Sequence, residues 1–456
     1  MSSRSMVNDF TRGNITKQLF TFAFPLFLSS LLQVLYNMAD MIIVGRALGK
    51  VGLSAVSVGG DVSNFLTFVA MGFCSAGQVI ISQYIGAGRR DRISPFVGTM
   101  FTTLMLCAFS ISTVCLFLRT PILRLMNTPA EAFGEALSYS TVCMAGLIFI
   151  YGYNICSAVL RGMGDSKHPF VFIAISAVLN VLLDLLFVLV FDMRAMGAAL
   201  ATVISQAVSF VCCAVFMYKR RESSGLDINI RYFVKIRTDM LADLLKLGVP
   251  MAIKSAAIHV SKLFVNSWIN SYGVEVSAFA GIANKINSIS NLISNSLNTS
   301  GSSMVGQNIA AKQYKRVTAI VRTIAVTTIC IATTLSAVIL IFPEAVFGIF
   351  VDDASVLEVA MDYLPIAVLI FFGSALRAPM NSLINGSGQT SLNFATAIFD
   401  GIVMRLGLSV LFGLVLDMKH LGFWLGDACA GFTPFVIGVV FLLSGKWKRA
   451  GVRIKE

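Results

Sequence analysis

Apolar residues in this chain run in continuous blocks of about twenty or more, separated by short polar connections. The blocks predict spans near 19–45, 52–82, 94–118, 134–160, 169–191, 196–218, 244–270, 276–308, 318–342, 355–385, 391–416 and 421–444. At about 1.5 Å per residue each is long enough to cross a hydrocarbon core of about 30 Å. Backbone amides in lipid must be satisfied within their own segment, which makes these blocks helices. A β-barrel would show short alternating segments instead. The expected fold is therefore all-α and integral to a membrane, with twelve transmembrane helices.

Composition agrees. Of the 456 residues 56% are hydrophobic and only 13% charged, against about a quarter charged in soluble domains. Residues 1–18 are polar and lead into a long apolar block with no small-residue cleavage site, so no cleavable signal peptide is expected. All nine cysteines lie in apolar blocks without metal-ligand or redox spacing and read as packing residues. The net charge of +12 reports topology, not a nucleic-acid partner. With the N-terminus and the even-numbered connections on one side, that side holds 24 Lys and Arg against 6 opposite. The positive-inside rule then places both termini in the cytoplasm of a bacterial or archaeal plasma-membrane protein.

The chain repeats itself. Gln83–Arg92 aligns with Gln307–Arg316 at a shift of 224, and Gly162 and Gly164 fall on Gly386 and Gly388 at the same shift. Pro25 falls on Pro250, Asp192 on Asp417 and Gly197 on Gly422 at 225. Six spans per half is an even number, so both halves enter the membrane with the same orientation. A pseudo-twofold axis along the membrane normal and a central V-shaped cavity are expected, one of the repeat geometries of secondary transporters. The expected domains are a six-helix lobe (1–218), a basic cytoplasmic linker (219–243), a second lobe (244–445) and a basic cytoplasmic tail (446–456).

Ionisable residues within spans carry a functional expectation because burying them is costly. The first span places Gln33, Tyr36 or Asn37, and Asp40 along one helical face. The fifth places Asn180 and Asp184 one turn apart, the sixth adds Thr202, and the fourth adds Tyr139 and Asn154. No cation stands at comparable depth in this half. Two unpaired carboxylates raise each other's proton affinity or need a bound cation, and the surrounding oxygens suit a hard ion such as Na⁺.

The stretch GNITKQLFTFAFPLFLSSLLQVLYNMADMIIVGRALG resembles the first helix of the multidrug and toxic compound extrusion (MATE) transporters, and GAGRRDR, RGMGDSKHP and NVLLD resemble later landmarks. The pattern is most similar to the DNA-damage-inducible-F branch. The resemblance implies a cation-coupled antiporter that exports organic compounds by alternating access. It implies that Asp40, Asn180, Asp184 and Thr202 take up H⁺ or Na⁺, and that Tyr36 and Asn154 support them. It further implies that Gln33 lines the cavity and that the first helix bends at Pro25. No other cofactor is implied. The expected partners are the bilayer and a small organic substrate; the protein is expected to be a monomer.

The second half departs from the first. Its seventh span carries Lys254, His259 and Lys262, and its tenth carries Arg377. At a shift of 225 Asp40 maps to Val265, Asn180 to Arg405 and Thr202 to Asp427. Arg405 and Asp427 are expected to pair as a structural bridge. Gln33, Asn37, Lys254, His259 and Lys262 are expected at the substrate cavity, where the lysines favour an anionic or zwitterionic substrate. The alternative is a superfamily-related flippase of a lipid-linked precursor. An enzyme is not expected, since HExxH, GxSxG in a usable context and P-loop patterns are missing.

Overall fold

The computed structural model describes residues 7–126, 128–221, 226–227, 229–350 and 353–449. Part of the linker (222–225 and 228) and most of the basic tail (450–456) lie outside the described residues. The described chain is helical throughout. One continuous helical stretch, Ile15–Gly86, is 72 residues long, enough for two bilayer crossings. It breaks at Gly49 (φ 60°, ψ −150°), a conformation that a side chain disfavours strongly. We number the resulting helices α1 (15–48) and α2 (50–86).

There follow α3 (Ile93–Leu125) and α4 (Phe133–Ala145 and Leu147–Gly162, bent by 47°). Next come α5 (Lys167–Asp184, continued by a π-helical turn Leu185–Val190) and α6 (Arg194–Lys219). The second half comprises α7 (Thr238–Asn270), α8 (Val274–Ala310), α9 (Tyr314–Ile341), α10 (Ala354–Gly386), α11 (Thr390–Val415, with two π-helical stretches) and α12 (Lys419–Ser444). Among the described residues, eight helices qualify as spans by length and apolarity alone, nine with the bent pair, because Ile15–Gly86 counts once and α7 and α8 are too polar. In α8 much of that polarity is serine, whose hydroxyls bond carbonyls one turn back, as Ser296 does to Leu292 and Ser300 to Ser296. The hydroxyls are thereby satisfied inside their own helix.

Two compact units result. The first holds Met1–Asp9 and Phe24–Gly248, the second Phe10–Ala23 and Val249–Glu456. The start of α1 thus packs with the second unit and the start of α7 with the first. In the first unit, Gly248 of α7 lies so close to Phe73 that a Cβ would stand 2.3 Å from its ring. The linker lies along α3: Thr102 donates to the Phe233 carbonyl (2.6 Å), and the Arg237 amide donates to Thr99 (3.2 Å). In the second unit, Arg316 donates to the carbonyls of Phe10, Arg12 and Gly13 and to Gln18, while the Phe10 amide donates to Gln307. Phe10, Leu19 and Phe22 complete an apolar core with Leu297, Met304 and Leu383. A second core stacks Phe279, Phe347, Tyr363 and Trp424 edge to face. Outward positions such as Phe109, Phe117 and Leu125 on α3, and Val436, Val440 and Leu443 on α12, are exposed and suit lipid.

The repeat reaches the backbone torsions. Left-handed residues Gly49, Gly88, Gly164, Asp192 and Arg194 have counterparts Gly273, Lys312, Gly388, Asp417 and Lys419 at shifts of 224 or 225. The closing hydrogen bonds match too. Met193 N–H reaches the Phe187 carbonyl at 2.9 Å, and Met418 N–H reaches that of Phe412 at 3.0 Å. Three of the five pairs keep the residue (Gly49/Gly273, Gly164/Gly388 and Asp192/Asp417) and two do not (Gly88/Lys312 and Arg194/Lys419), so geometry is retained more widely than identity.

Candidate functional site

In the first unit α1, α5 and α6 bring the expected polar residues together. Asp184 is fully buried, Asn180 is 1% and Asp40 5% exposed. Asp184 closes the α-helical part of α5, and the π-helical turn begins at the next residue. Asp40 and Asp184 are close neighbours within this group. Asp40 Oδ1, both Asp184 carboxyl oxygens and Asn180 Oδ1 have no protein donor. Asn180 Nδ2 donates to Thr202 Oγ1 at 3.4 Å. No Lys, Arg or His forms an ion pair with either carboxylate among the described residues. Several acceptor oxygens therefore converge without a positive partner. Each unpaired ionised carboxylate in such a place costs several kcal/mol.

Aromatic side chains frame the pair. The Tyr36 hydroxyl reaches Gln206 and lies beside Asp40. Tyr139 is buried near Asp40 and Asp184, with its ring against Gly59, where a Cβ would stand 2.4 Å away. Gln206 had a sequence signal, since it stands one turn from Thr202 on α6. The expected face of α1 divides: Tyr36 and Asp40 turn inward, whereas Gln33 and Asn37 are exposed. Asn154 donates to the Ile150 carbonyl of its own helix (2.8 Å), and nothing joins it to the carboxylates. Helix α1 passes Pro25 with helical backbone, and the Pro25 carbonyl accepts from Ser29 Oγ (2.8 Å). Asp61 on α2 is a further carboxylate within the first half's spans; it is exposed and apart from this group.

The second unit handles its buried charge differently. Arg405, 1% exposed, donates to Asp400 Oδ1 at 2.9 Å and pairs with Asp427. The Arg405–Asp427 bridge is therefore present, and Asp400 makes it a triad. Asp400 lies in a π-helical stretch, Phe399–Met404, where a spacing of five residues brings it beside Arg405. At the repeat position of Asp184 stands Ser409, which donates to the Phe423 carbonyl (3.2 Å). Lys254 is buried and donates to Asn381 Oδ1 at 2.8 Å; His259 is exposed. Lys262 instead lines a small polar cleft with Arg377, Arg405, Asp427 and the amides of Asn284, Asn287 and Asn291. The three asparagines follow i, i+3, i+7 spacing on α8, a legible stripe that carries no charge to mark it.

A twelve-helix chain of two parallel repeats, one with uncompensated acids and the other with its acids neutralised by arginine, has the architecture of a secondary transporter. The MatE family matches residues 25–186 and 250–411, once in each half, and the chain belongs to that family. A weaker likeness to the lipid II flippase MurJ covers residues 130–279. Among curated relatives, the probable multidrug resistance protein YpnP of Bacillus subtilis is 28% identical, with 96% of this chain and 97% of that protein covered. The probable multidrug resistance protein NorM of Thermotoga maritima is 25% identical, covering 97% and 95%. A solved outward-facing multidrug resistance MATE transporter superposes with a TM-score of 0.87 at 22% identity, covering 96% of this chain and 98% of that one. The fold of this chain is that of the MATE transporters.

Proposed function

We propose that this chain is an antiporter that exports small amphipathic organic molecules by alternating access, driven by H⁺ or Na⁺ entering at the Asp40–Asp184 site. One observation carries the reading: a buried carboxylate pair, with Asn180 Oδ1 beside it, has neither donor nor cation among the described residues. Such a group is completed by a proton or a hard cation. Asp40 and Asp184 hold the charge, while Asn180 and Thr202 add neutral oxygens. Tyr36, Tyr139 and Gln206 fix the surroundings. Completing the site on one side and releasing the ion on the other couples it to the substrate-bearing state through reciprocal linkage. A bend of α1 at Pro25 fits this scheme, since that residue lacks an amide donor within a span. The chain works as a monomeric carrier in the plasma membrane, with both termini in the cytoplasm, and performs no covalent chemistry.

The names of YpnP and NorM, probable multidrug resistance proteins, support a drug-like cargo. The flippase reading has the MurJ likeness behind it, but that covers 150 residues of one stretch while MatE matches both halves. Efflux of a cationic dye and of a carboxylated dye from proteoliposomes, with pH and Na⁺ gradients imposed separately, tests the proposal. Efflux that answers to neither gradient would overturn it.

A further inference from the structure

The acids of the second unit are already committed. Asp400 and Asp427 both engage Arg405, so neither remains free to meet a cationic ligand in the adjoining cleft. The cations are not matched in the same way. Lys262 lines the cleft and makes no hydrogen bond or ion pair among the described residues. Arg377 has one long bond, Nε to the Gly431 carbonyl at 3.4 Å. Arg405 keeps its buried Nε without an acceptor. Asn291 accepts from Ser374 at 3.2 Å through its carbonyl oxygen, which leaves its NH₂ group free. Asn287 Nδ2 donates to the Tyr363 hydroxyl (2.8 Å), which leaves its Oδ1, an acceptor, buried without a partner. The cleft thus presents two uncommitted cations and the free NH₂ group of Asn291.

We propose that Lys262 and Arg377, with the Asn291 amide, bind a carboxylate carried by the transported molecule. This rests on the exporter reading and narrows its substrate class. The guanidinium supplies a planar fork for the two oxygens and the ammonium a point charge beside it. The Asn291 NH₂ group takes a lone pair the cations leave. The Arg405 triad holds the adjoining wall and keeps its own carboxylates from repelling the ligand. Lys254 takes no part, because its ammonium is bonded to Asn381.

The test is equilibrium binding to purified full-length protein in lipid nanodiscs, without any gradient. Dansylglycine is compared with its neutral amide, dansylglycinamide, by fluorescence titration. The acid should bind wild-type protein about tenfold more tightly, since one charge-assisted contact corresponds to about that factor. Lys262→Gln and Arg377→Gln should each remove most of that preference by weakening the acid alone. Lys262→Arg should retain it. Arg322→Gln, which removes an exposed charge on α9 away from the cleft, should leave it unchanged. Equal affinity of wild-type protein for acid and amide would overturn the proposal without needing any variant. So would an acid preference that survives both glutamine substitutions. A protein that prefers the acid but shows no gradient-driven efflux would count against the exporter reading and leave the carboxylate site standing.

Discussion

Replacing Asp40 or Asp184 by asparagine should leave the protein as stable as before, or more so, while stopping driven transport. Both carboxylates are buried, they are close neighbours, and their free oxygens meet no donor. Two unit charges about 4 Å apart repel by roughly 4 kcal/mol at an effective dielectric constant of about 20. In the absence of a bound cation only one of the pair is readily ionised. An amide at either position removes that repulsion, keeps the volume, and offers an NH₂ group to the remaining carboxylate. The measurements are a thermal melt in detergent at neutral pH without Na⁺, and efflux from proteoliposomes under a pH or Na⁺ gradient. Asp40→Asn and Asp184→Asn should melt at or above the wild-type temperature and export at the rate of empty liposomes. Loss of several kcal/mol of stability in both variants would show that the carboxylates are held by partners that the reasoning denies them. Gradient-driven efflux by Asp40→Asn would refute the assignment of the coupling site.

Arg405→Met should have the opposite signature. It strands Asp400 and Asp427 in a buried setting and should cost about 3–5 kcal/mol, read as a lowered melt and recovered in part by adding Asp400→Asn. At Gly49 a Cβ would meet nothing within 4 Å, so Gly49→Ala isolates the backbone; its φ of 60° and ψ of −150° predict a loss of about 1–3 kcal/mol with export retained per folded molecule. Arg316→Ala should release the segment from Phe10 to Gln18, seen as faster cleavage there in limited proteolysis, with the rest of the digestion pattern unchanged.

Much of the fold was legible because lipid imposes one rule on every span. The repeat and the pairing of Arg405 with Asp427 followed from a constant shift and from charge. Span α8 shows what hydropathy misses: its serines bond their own carbonyls, so a segment with a polar count crosses as a helix. Asp400 escaped because its π-helical spacing from Arg405 has no counterpart in a 3.6-residue period. Gln33 and Asn37 share a stripe with Tyr36 and Asp40 in projection, yet a stripe does not say which edge turns inward. The asparagine row on α8 was visible in the sequence but carried no charge to draw attention. The roles of Lys254 and Lys262 separated only once their neighbours were known, since both are lysines on one helix and only one has an amide partner.

The paired left-handed residues work as fiducial marks. They register the halves where identity has gone, as at Gly88 and Lys312, and they place Asp61 opposite Lys285 in the ruled alignment. Saturation mutagenesis scored for folded protein should therefore show two sensitivity profiles that echo each other at an offset of 224 to 225 residues around the marks. Scored for transport, the echo should vanish at Asp40, Asn180 and Asp184. A duplicated scaffold would then be read as one shape held in two copies, with ion and substrate chemistry written separately on each.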